Sequence, residues 1–174
     1  MHLRLNTQKQ SKIKLAAIDL TRIALMVAVI EVCKVAFAQM PNVELTSFWI
    51  VLFTLYFGKR IFYVIPVFVI IEGAIWGFGI WWIMYLYAWP MLACVVLVLK
   101  RMKTAFEWAM VSGVFGLLFG FLCAIPYIFI SGIKGAFTWW IAGIPWDLVH
   151  GIANFTIMLI LYNPMRQVMK KIHL

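Results

Sequence analysis

Six apolar runs, with most of the basic residues before, between and after them, constrain the fold of this chain more than any other feature. Membrane proteins follow this pattern, because their cytoplasmic loops keep an excess of positive charge. The chain is 66% hydrophobic and 12% charged, whereas soluble globular domains are roughly half apolar and about a quarter charged. The sequence therefore predicts an all-α membrane protein, a compact bundle of six transmembrane helices with both termini cytoplasmic.

The net charge of +9 comes from basic residues whose distribution argues against a nucleic-acid partner. All but two of the 15 lysines and arginines lie at the start of the chain, in the gaps or in the tail, the exceptions being Lys34 and Lys134. A surface that binds nucleic acid would instead gather its phosphate contacts on one face. The distribution predicts the lipid bilayer as the partner of this chain.

The apolar runs and the basic clusters together predict the boundaries of the spans. Residues 1–16 form a cytoplasmic basic arm, and residues 17–174 form the six-helix transmembrane domain. The spans are predicted at 17–39, 45–57, 61–76, 81–99, 106–130 and 137–162. External loops are predicted at 40–44, 77–79 and 131–135, and Asn163 and Pro164 end the last span. The second span is too short to cross a core of roughly 30 Å as a helix, so the loop before it is expected to dip into the protein.

Three polar side chains, Asp147, His150 and Asn154, follow one another along the sixth span. Their i, i+3, i+7 spacing puts them on one helical face, toward the same neighbour or cavity. An ionisable residue within a membrane span costs at least a few kcal/mol unless it faces a partner or water. The stripe is therefore a candidate functional site, although a structural hydrogen bond between Asp147 and His150 would also account for it.

Polar and aromatic residues converge on the outer half of the predicted bundle. Glu31 and Lys34 fall there on the first span, and a crowd of tryptophans lies at the same level. A pocket open to the exterior explains this asymmetry. The candidate ligand-binding residues are Asn42, Glu44, Thr46, Glu72, Trp76, Trp81, Tyr85, Trp139, Asp147 and His150.

These residues also have structural interpretations. Tryptophans at a membrane interface usually form an aromatic belt. Glu31 and Lys34, three residues apart, would form an internal ion pair that neutralises both. Glu44 would cap the second helix, because an acidic side chain suits the positive end of a helix.

Small residues at four-residue intervals mark two helix-packing surfaces, since small side chains let helices approach closely in lipid. On the first span, Ala24 and Ala28 would face either an internal helix or another subunit. The stripe on the fifth span is predicted to pack internally, and it consists of Ser112, Gly116, Gly120 and Ala124.

Motifs for catalysis and for energy supply are absent from the sequence. There is no GxxxxGK[ST] for nucleotides, no HExxH and no GxSxG. Cys33, Cys94 and Cys123 lie within apolar runs without CxxC spacing, which indicates buried, inert thiols rather than metal ligands. We therefore expect no catalytic residue, metal or cofactor, and a chain that depends on other subunits to drive concentrative transport.

Three of these features together resemble the substrate-binding S components of bacterial energy-coupling factor (ECF) vitamin transporters. They are the six spans with both ends inside, the pair Ala24 and Ala28, and the Pro-Trp-Asp-Leu-Val-His run at 145–150. S components commonly show AxxxA on the first helix, and many carry Pro-x-Asp on the sixth, often followed by Lys where His150 stands here. The segments at 41–45 and 143–147 add to the resemblance, which covers essentially the whole chain.

The resemblance implies a multi-pass protein of the bacterial cell membrane that is not an enzyme. A coupling transmembrane subunit, contacted through Ala24 and Ala28, and two cytoplasmic ATPase subunits would be its partners. The S component would bind a vitamin from outside and topple within the membrane to release it inward. The chain is most similar to S components assigned to cobalamin.

Other functions stay open at this point. Pantothenate or a pyrimidine precursor would fit a smaller site, with Lys34 or His150 meeting an anionic group of pantothenate. A small intramembrane enzyme would use Asp147, His150 and Glu72 as acid–base groups or metal ligands. A homo-oligomeric channel or proton-coupled carrier would relay protons through Glu72 or Asp147.

Overall fold

The computed structural model describes residues 2–172, and it describes side chains from Ala17 onward. Over this part of the chain it is all-helical, which confirms the all-α part of the predicted fold class. The elements are α1 (His2–Ala36), α2 (Thr46–Phe57), a 3-10 turn (Gly58–Arg60), α3 (Ile61–Trp76), α4 (Ile80–Val98) and α5 (Ala105–Ile172).

The structure does not delimit six separate helices, because the predicted fifth and sixth spans both belong to α5. The helix is interrupted at Gly132, where φ is 71° and ψ is 176°. Glycine adopts this positive φ readily because it has no Cβ. The connection predicted as a loop at 131–135 therefore consists of Gly132 alone, and the other residues of that range are helical. We call residues 105–131 the first arm of α5 and residues 133–172 its second arm.

The two arms of α5 run antiparallel and pack closely against each other. Gly120 meets Asp147 and Gly116 meets Gly151, so positions that increase along one arm decrease along the other. A Cβ added at Gly116 would lie 2.8 Å from the Cα of Gly151, closer than two such carbons approach. The prediction that the small residues of the fifth span pack internally is confirmed.

Other boundaries differ from the prediction at the ends of the chain. α1 begins at His2, so the predicted basic arm is continuous with the first span. The side chains of residues 2–16, on which the arm's relation to the membrane depends, lie outside the described residues, as does Met1. At the other end the helix passes Asn163 and Pro164 and continues to Ile172. A proline inside a helix removes a backbone donor and often kinks or ends the helix, but here the helix continues past Pro164.

Three continuous helical stretches in the described chain are long and apolar enough to cross a membrane: Thr46–Trp76, Ile80–Val98 and Ala105–Ile172. The first of them contains α2, the 3-10 turn and α3. The apolar part of α1 is interrupted by four charged residues, which are Asp19, Arg22, Glu31 and Lys34. The three stretches support a membrane protein.

α2 lies at the centre of the molecule. Every residue from 46 to 54 except Trp49 is buried, and Ile50, Val51 and Leu52 have no exposed surface. A helix that is apolar on all sides needs neighbours on all sides, and α2 contacts α1, α3, α4 and α5. Its N-terminal residues Thr46 and Ser47 are buried as well, so the start of α2 brings polar groups into the interior.

Candidate ligand-binding site

A cavity of about 230 Å³ lies beneath the loop between α1 and α2. Five of the predicted ligand-binding residues line it together with Lys34. They are Asn42, Glu44, Thr46, Tyr85 and His150. The remaining walls are apolar or aromatic, formed by Phe37, Ala38, Met40, Pro41, Val43, Trp89 and Phe119.

Glu44 is held by the first turn of α2. Its Oε1 accepts a hydrogen bond from Ser47 Oγ at 2.6 Å, and both carboxylate oxygens lie 3.2 Å from Ser47 N. This confirms the prediction that Glu44 caps the second helix, where a negative charge is favoured by the helix dipole. The second wall of the cavity supplies another partner, since His150 Nε2 lies 3.2 Å from Glu44 Oε1.

These contacts keep Glu44 ionised. Burial alone would raise the pKa of Glu44, but the hydrogen bond and charge of His150 and the hydrogen bonds of Ser47 and Thr46 outweigh it and lower the pKa to about 2. A carboxylate that accepts several hydrogen bonds is stabilised in its charged form. Glu44 therefore places a carboxylate, paired with His150, on the side of the cavity next to α2.

The stripe predicted on the sixth span is buried, and two of its three residues contact the N-terminus of α2. Asn154 Nδ2 donates a hydrogen bond to Ser47 Oγ at 3.2 Å, and Ser47 Oγ in turn donates to Glu44. With His150 they form what we call the α2 cap cluster: Glu44, Ser47, His150 and Asn154. The common helical face is confirmed, because Asp147, His150 and Asn154 are all buried.

Asp147 binds to the backbone of the other arm of α5. Its Oδ1 accepts a hydrogen bond from Gly120 N at 2.8 Å, and its Oδ2 is buried without a hydrogen-bond partner among the described groups. The structural hydrogen bond considered between Asp147 and His150 is not formed, because His150 points to Glu44 instead. Asp147 is not among the residues that line the cavity.

Lys34 forms the opposite wall of the cavity. Its Nζ forms an ion pair with Glu72 of α3, donates a hydrogen bond to Tyr85 Oη at 2.8 Å and lies 4.5 Å from the centroid of the Tyr85 ring. The ion pair predicted between Glu31 and Lys34 is therefore replaced by one across helices. The carboxyl oxygens of Glu31 are nevertheless buried close by. We call Glu31, Lys34, Glu72 and Tyr85 the lysine cluster.

A second cavity, of about 270 Å³, lies on the other side of Lys34. It brings together three further predicted residues, Glu72, Trp76 and Trp81, and it shares Lys34 and Ala38 with the first cavity. Trp139 lies apart from both cavities and stacks on Tyr127, with ring centroids 4.6 Å apart.

Sequence analysis missed the aromatic side of the first cavity. Trp89 is buried, and its ring meets Tyr85 edge-on with centroids 5.2 Å apart. Its position four residues after Tyr85 places it on the same helical face, a signal that could have identified it. Phe119, whose ring lies 4.9 Å from that of His150, carries no comparable signal.

Ala24 and Ala28 face away from the rest of the molecule. Both are exposed, whereas Met26 and Ile30 on the opposite face of α1 are buried. Of the two predicted roles of this pair, packing against an internal helix is therefore not observed among the described residues.

Cys33 accepts a hydrogen bond from Trp49 Nε1 at 3.2 Å. Within the described residues, no group of three or more His, Cys, Asp or Glu side chains is placed to hold a metal ion. Comparison of the chain with protein families, with curated proteins and with solved structures finds no match.

Proposed function

We propose that this chain is the substrate-binding S component of an ECF-type importer in a bacterial cell membrane. It would work with a coupling transmembrane subunit and two cytoplasmic ATPases. One observation carries the proposal. Residues from five separate regions bring polar groups to one cavity at one end of a helical bundle, and these regions are α1, the loop at 37–45, the start of α2, α4 and the second arm of α5. A concave site with a few convergent polar groups among aromatic walls is the usual form of a small-molecule site.

The lining supports a small ligand with a planar or branched apolar part and an anionic group. Trp89, Phe119 and Tyr85 offer aromatic surface, and Lys34 offers a cation within the same cavity. Glu44 and the amide of Asn42 offer acceptors for hydroxyl or N–H groups. Pantothenate has this chemistry, since it carries a carboxylate, an amide and hydroxyls.

The cavity volume bears on which vitamin is bound. Pockets for drug-sized ligands measure roughly 300–1,000 Å³, and the first cavity measures about 230 Å³. Cobalamin, the closest substrate by resemblance, is larger than a drug-sized molecule. The volume therefore favours pantothenate or a pyrimidine precursor over cobalamin as the ligand of the cavity in its present shape.

The membrane topology belongs to the same proposal. The two arms of α5 would serve as the fifth and sixth spans, and the apolar part of α1 would serve as the first. The basic residues between and after the spans would then place both termini in the cytoplasm. The cavity would open to the exterior, where a vitamin arrives.

The exposed face of α1 supports a partner at Ala24 and Ala28. Small residues on an exposed helical face let another transmembrane helix approach closely. We propose that the coupling subunit binds there. Neither alanine lines the first cavity, so ligand binding and coupling would be separable.

Binding of a panel of vitamins to the purified chain, measured by calorimetry, tests this function. Pantothenate, a pyrimidine precursor and cobalamin are the essential members. Tight binding of one member at a one-to-one ratio is the expected result. Failure of every member to bind would contradict the S-component proposal.

A membrane enzyme is the second candidate function, because one observation favours it. His150 and Glu44 lie within hydrogen-bond distance of each other inside a cavity, which is the arrangement that a general base requires. An enzyme would convert its substrate without other subunits. Recovery of each vitamin unchanged after prolonged incubation with the purified chain would exclude this candidate for that vitamin.

A further inference from the structure

A third cavity, of about 250 Å³, lies between α1 and the second arm of α5. It is lined by residues within 22–29 of α1, 49–57 of α2 and 165–172 of α5. The first cavity is lined farther along α1, from Lys34 onward, so the two sites are separate. We call the third cavity the α1–α5 groove.

The α2 side of the groove is a continuous aromatic row. Trp49, Phe53 and Phe57 line it, and their four-residue spacing places them on one helical face. The ring of Trp49 stacks on that of Phe53 with centroids 5.2 Å apart, and Phe53 meets Phe57 edge-on at 6.2 Å. Within residues 46–54 only Trp49 is not fully buried. An apolar occupant of the groove would therefore complete the burial of α2.

Charge is confined to one end of the groove. Arg22 is the only charged residue among the described residues that line it. Its guanidinium lies 3.8 Å from the carboxylate of Asp19, and Arg60 lies 3.3 Å from the same carboxylate. The two arginine side chains are 44% and 47% exposed, and exposed ion pairs of this kind are weak. Two cations thus share one carboxylate, and a phosphate, which arginine binds through two parallel hydrogen bonds, can compete for them.

The apolar part of the groove extends in one direction from this charged end. α1 and α2 run antiparallel, because Trp49 donates a hydrogen bond to Cys33 whereas Arg60 contacts Asp19. The arginines therefore lie at one end of the groove and Trp49 lies toward the other. Residues 22–29 of α1 span about 10 Å, and the hydrocarbon layer of one leaflet is about 15 Å thick. The groove matches most of the depth of one leaflet, with its cations at one end.

We propose that the α1–α5 groove binds one anionic phospholipid, with an acyl chain against the aromatic row and the phosphate between Arg22 and Arg60. Basic pockets between transmembrane helices bind anionic lipid headgroups by the same chemistry. Ala24 and Ala28 do not line the groove, so the lipid and a coupling subunit would use different faces of α1. The inference requires a membrane environment and does not depend on the S-component function.

Native mass spectrometry of the full chain tests the proposal. The protein is released from mixed micelles of phosphatidylglycerol and phosphatidylcholine with matched acyl chains. The wild type should retain one phosphatidylglycerol in preference to phosphatidylcholine, whose choline the arginines repel. In Arg22→Gln and in Arg60→Gln this preference should fall by about fivefold. Lys100→Gln removes an exposed cation that does not line the groove, and as the matched control it should keep the preference.

A second pair of variants tests the apolar part of the site. Val168 lines the groove, so Val168→Trp should occupy it and reduce the retention of phosphatidylglycerol. Val98 is 79% exposed and does not line the groove, so Val98→Trp should retain the lipid as the wild type does. Glycerol phosphate, which has the phosphate without acyl chains, should not displace the lipid. Its success as a competitor would indicate a free-anion site and contradict the proposal.

Equal retention of the two lipids by the wild type would overturn the proposal, and so would an unchanged preference when both arginines are replaced. Full retention of phosphatidylglycerol by Val168→Trp would also contradict it. A dimer of the wild type that is lost in Val168→Trp would assign the groove to a second copy of the chain instead. Circular dichroism and elution as a single species establish that each variant is folded. If Arg60→Gln does not fold, Arg22→Gln alone decides the role of the charged end.

Discussion

The two polar clusters on opposite sides of the first cavity satisfy their charges in different ways. In the α2 cap cluster, Glu44 is surrounded by donors from Ser47 and His150, and Asn154 completes a hydrogen-bonded chain. In the lysine cluster, two carboxyl groups depend on the single amine of Lys34. The comparison indicates that the cap cluster holds the cavity wall in place. In the lysine cluster one amine serves two carboxyl groups, so we expect Lys34 to be the group that can turn from a carboxylate of the protein to an anionic ligand.

Removing the cation of the lysine cluster should have the largest effect on this comparison. Lys34→Met leaves Glu31 and Glu72 buried without a counter-charge, and breaking a buried ion pair costs about 3–5 kcal/mol. We expect a clearly lower midpoint in thermal unfolding and the loss of binding of an anionic vitamin such as pantothenate. Lys59→Met, at an exposed position, is the matched control.

Neutralising the cap cluster should have a smaller effect. Glu44→Gln replaces charge-assisted hydrogen bonds with neutral ones, at a cost of about 1–3 kcal/mol. Stability measured by chemical unfolding checks this value. A loss as large as that of Lys34→Met would mean that the two clusters do not differ as proposed.

The same variant has a characteristic dependence on pH. The pKa of Glu44 is about 2 in the folded protein and about 4.3 in an unfolded chain. Its ionised form therefore stabilises the fold fully above about pH 5, and this contribution is lost as the pH falls toward 2. The stability difference between wild type and Glu44→Gln should shrink over this range. A difference that stays constant from pH 6 to about pH 2 would contradict the assignment.

Asp147 belongs to neither cluster, and a glycine substitution tests its structural role. A Cβ at position 120 would fall on the Asp147 carboxylate, whereas Gly143 has open space around it. Overpacking typically costs about 1–3 kcal/mol, so Gly120→Ala should be destabilised while Gly143→Ala, away from close neighbours, should change stability much less. Thermal unfolding of the pair measures the difference. Equal stability of the two variants would show that the arms of α5 separate easily at Gly120.

The smallest effect on binding is expected at the exposed face of α1. Ala24→Trp adds a large side chain where no described residue packs, so stability should change by no more than about 0.5 kcal/mol. Vitamin binding to the purified variant should be unaffected, whereas uptake by cells that contain the coupling subunit and the ATPases should be lost. Loss of binding in detergent would instead place Ala24 in internal packing, against the exposure described above.

Local features of the site could be predicted from the sequence, because they depend on spacing along one segment. Glu44 lies three residues before Ser47, and the stripe that contains His150 repeats at helical intervals. The ion pair of Lys34 with Glu72 could not be predicted, since it depends on how α1 packs against α3. Sequence spacing instead favoured Glu31 as the partner of Lys34, because Glu31 lies three residues earlier on the same helix. The position of Trp139 could not be predicted either, because Trp139 stacks on Tyr127 of the other arm of α5 and this contact depends on how the two arms pack.

The fold shows a similar division between local and distant causes. Apolar runs placed α2, α3 and α4 within one residue of their observed bounds. The connection within α5 was predicted as a five-residue loop because glycine, serine and lysine are typical of loops. A single glycine with positive φ was sufficient, and the number of residues in a turn is not encoded by composition.

Lys34 lines both cavities, so a change at Lys34 in one cavity also changes the electric field in the other. An anion that enters the first cavity would draw the ammonium toward itself, and the second cavity, bounded by Trp76 and Trp81, would lose its only positive charge among the described residues that line it. The indole rings would then sense the event through a changed electric field. Tryptophan fluorescence of the unlabelled protein should therefore respond to occupancy of a cavity that neither of these two tryptophans lines.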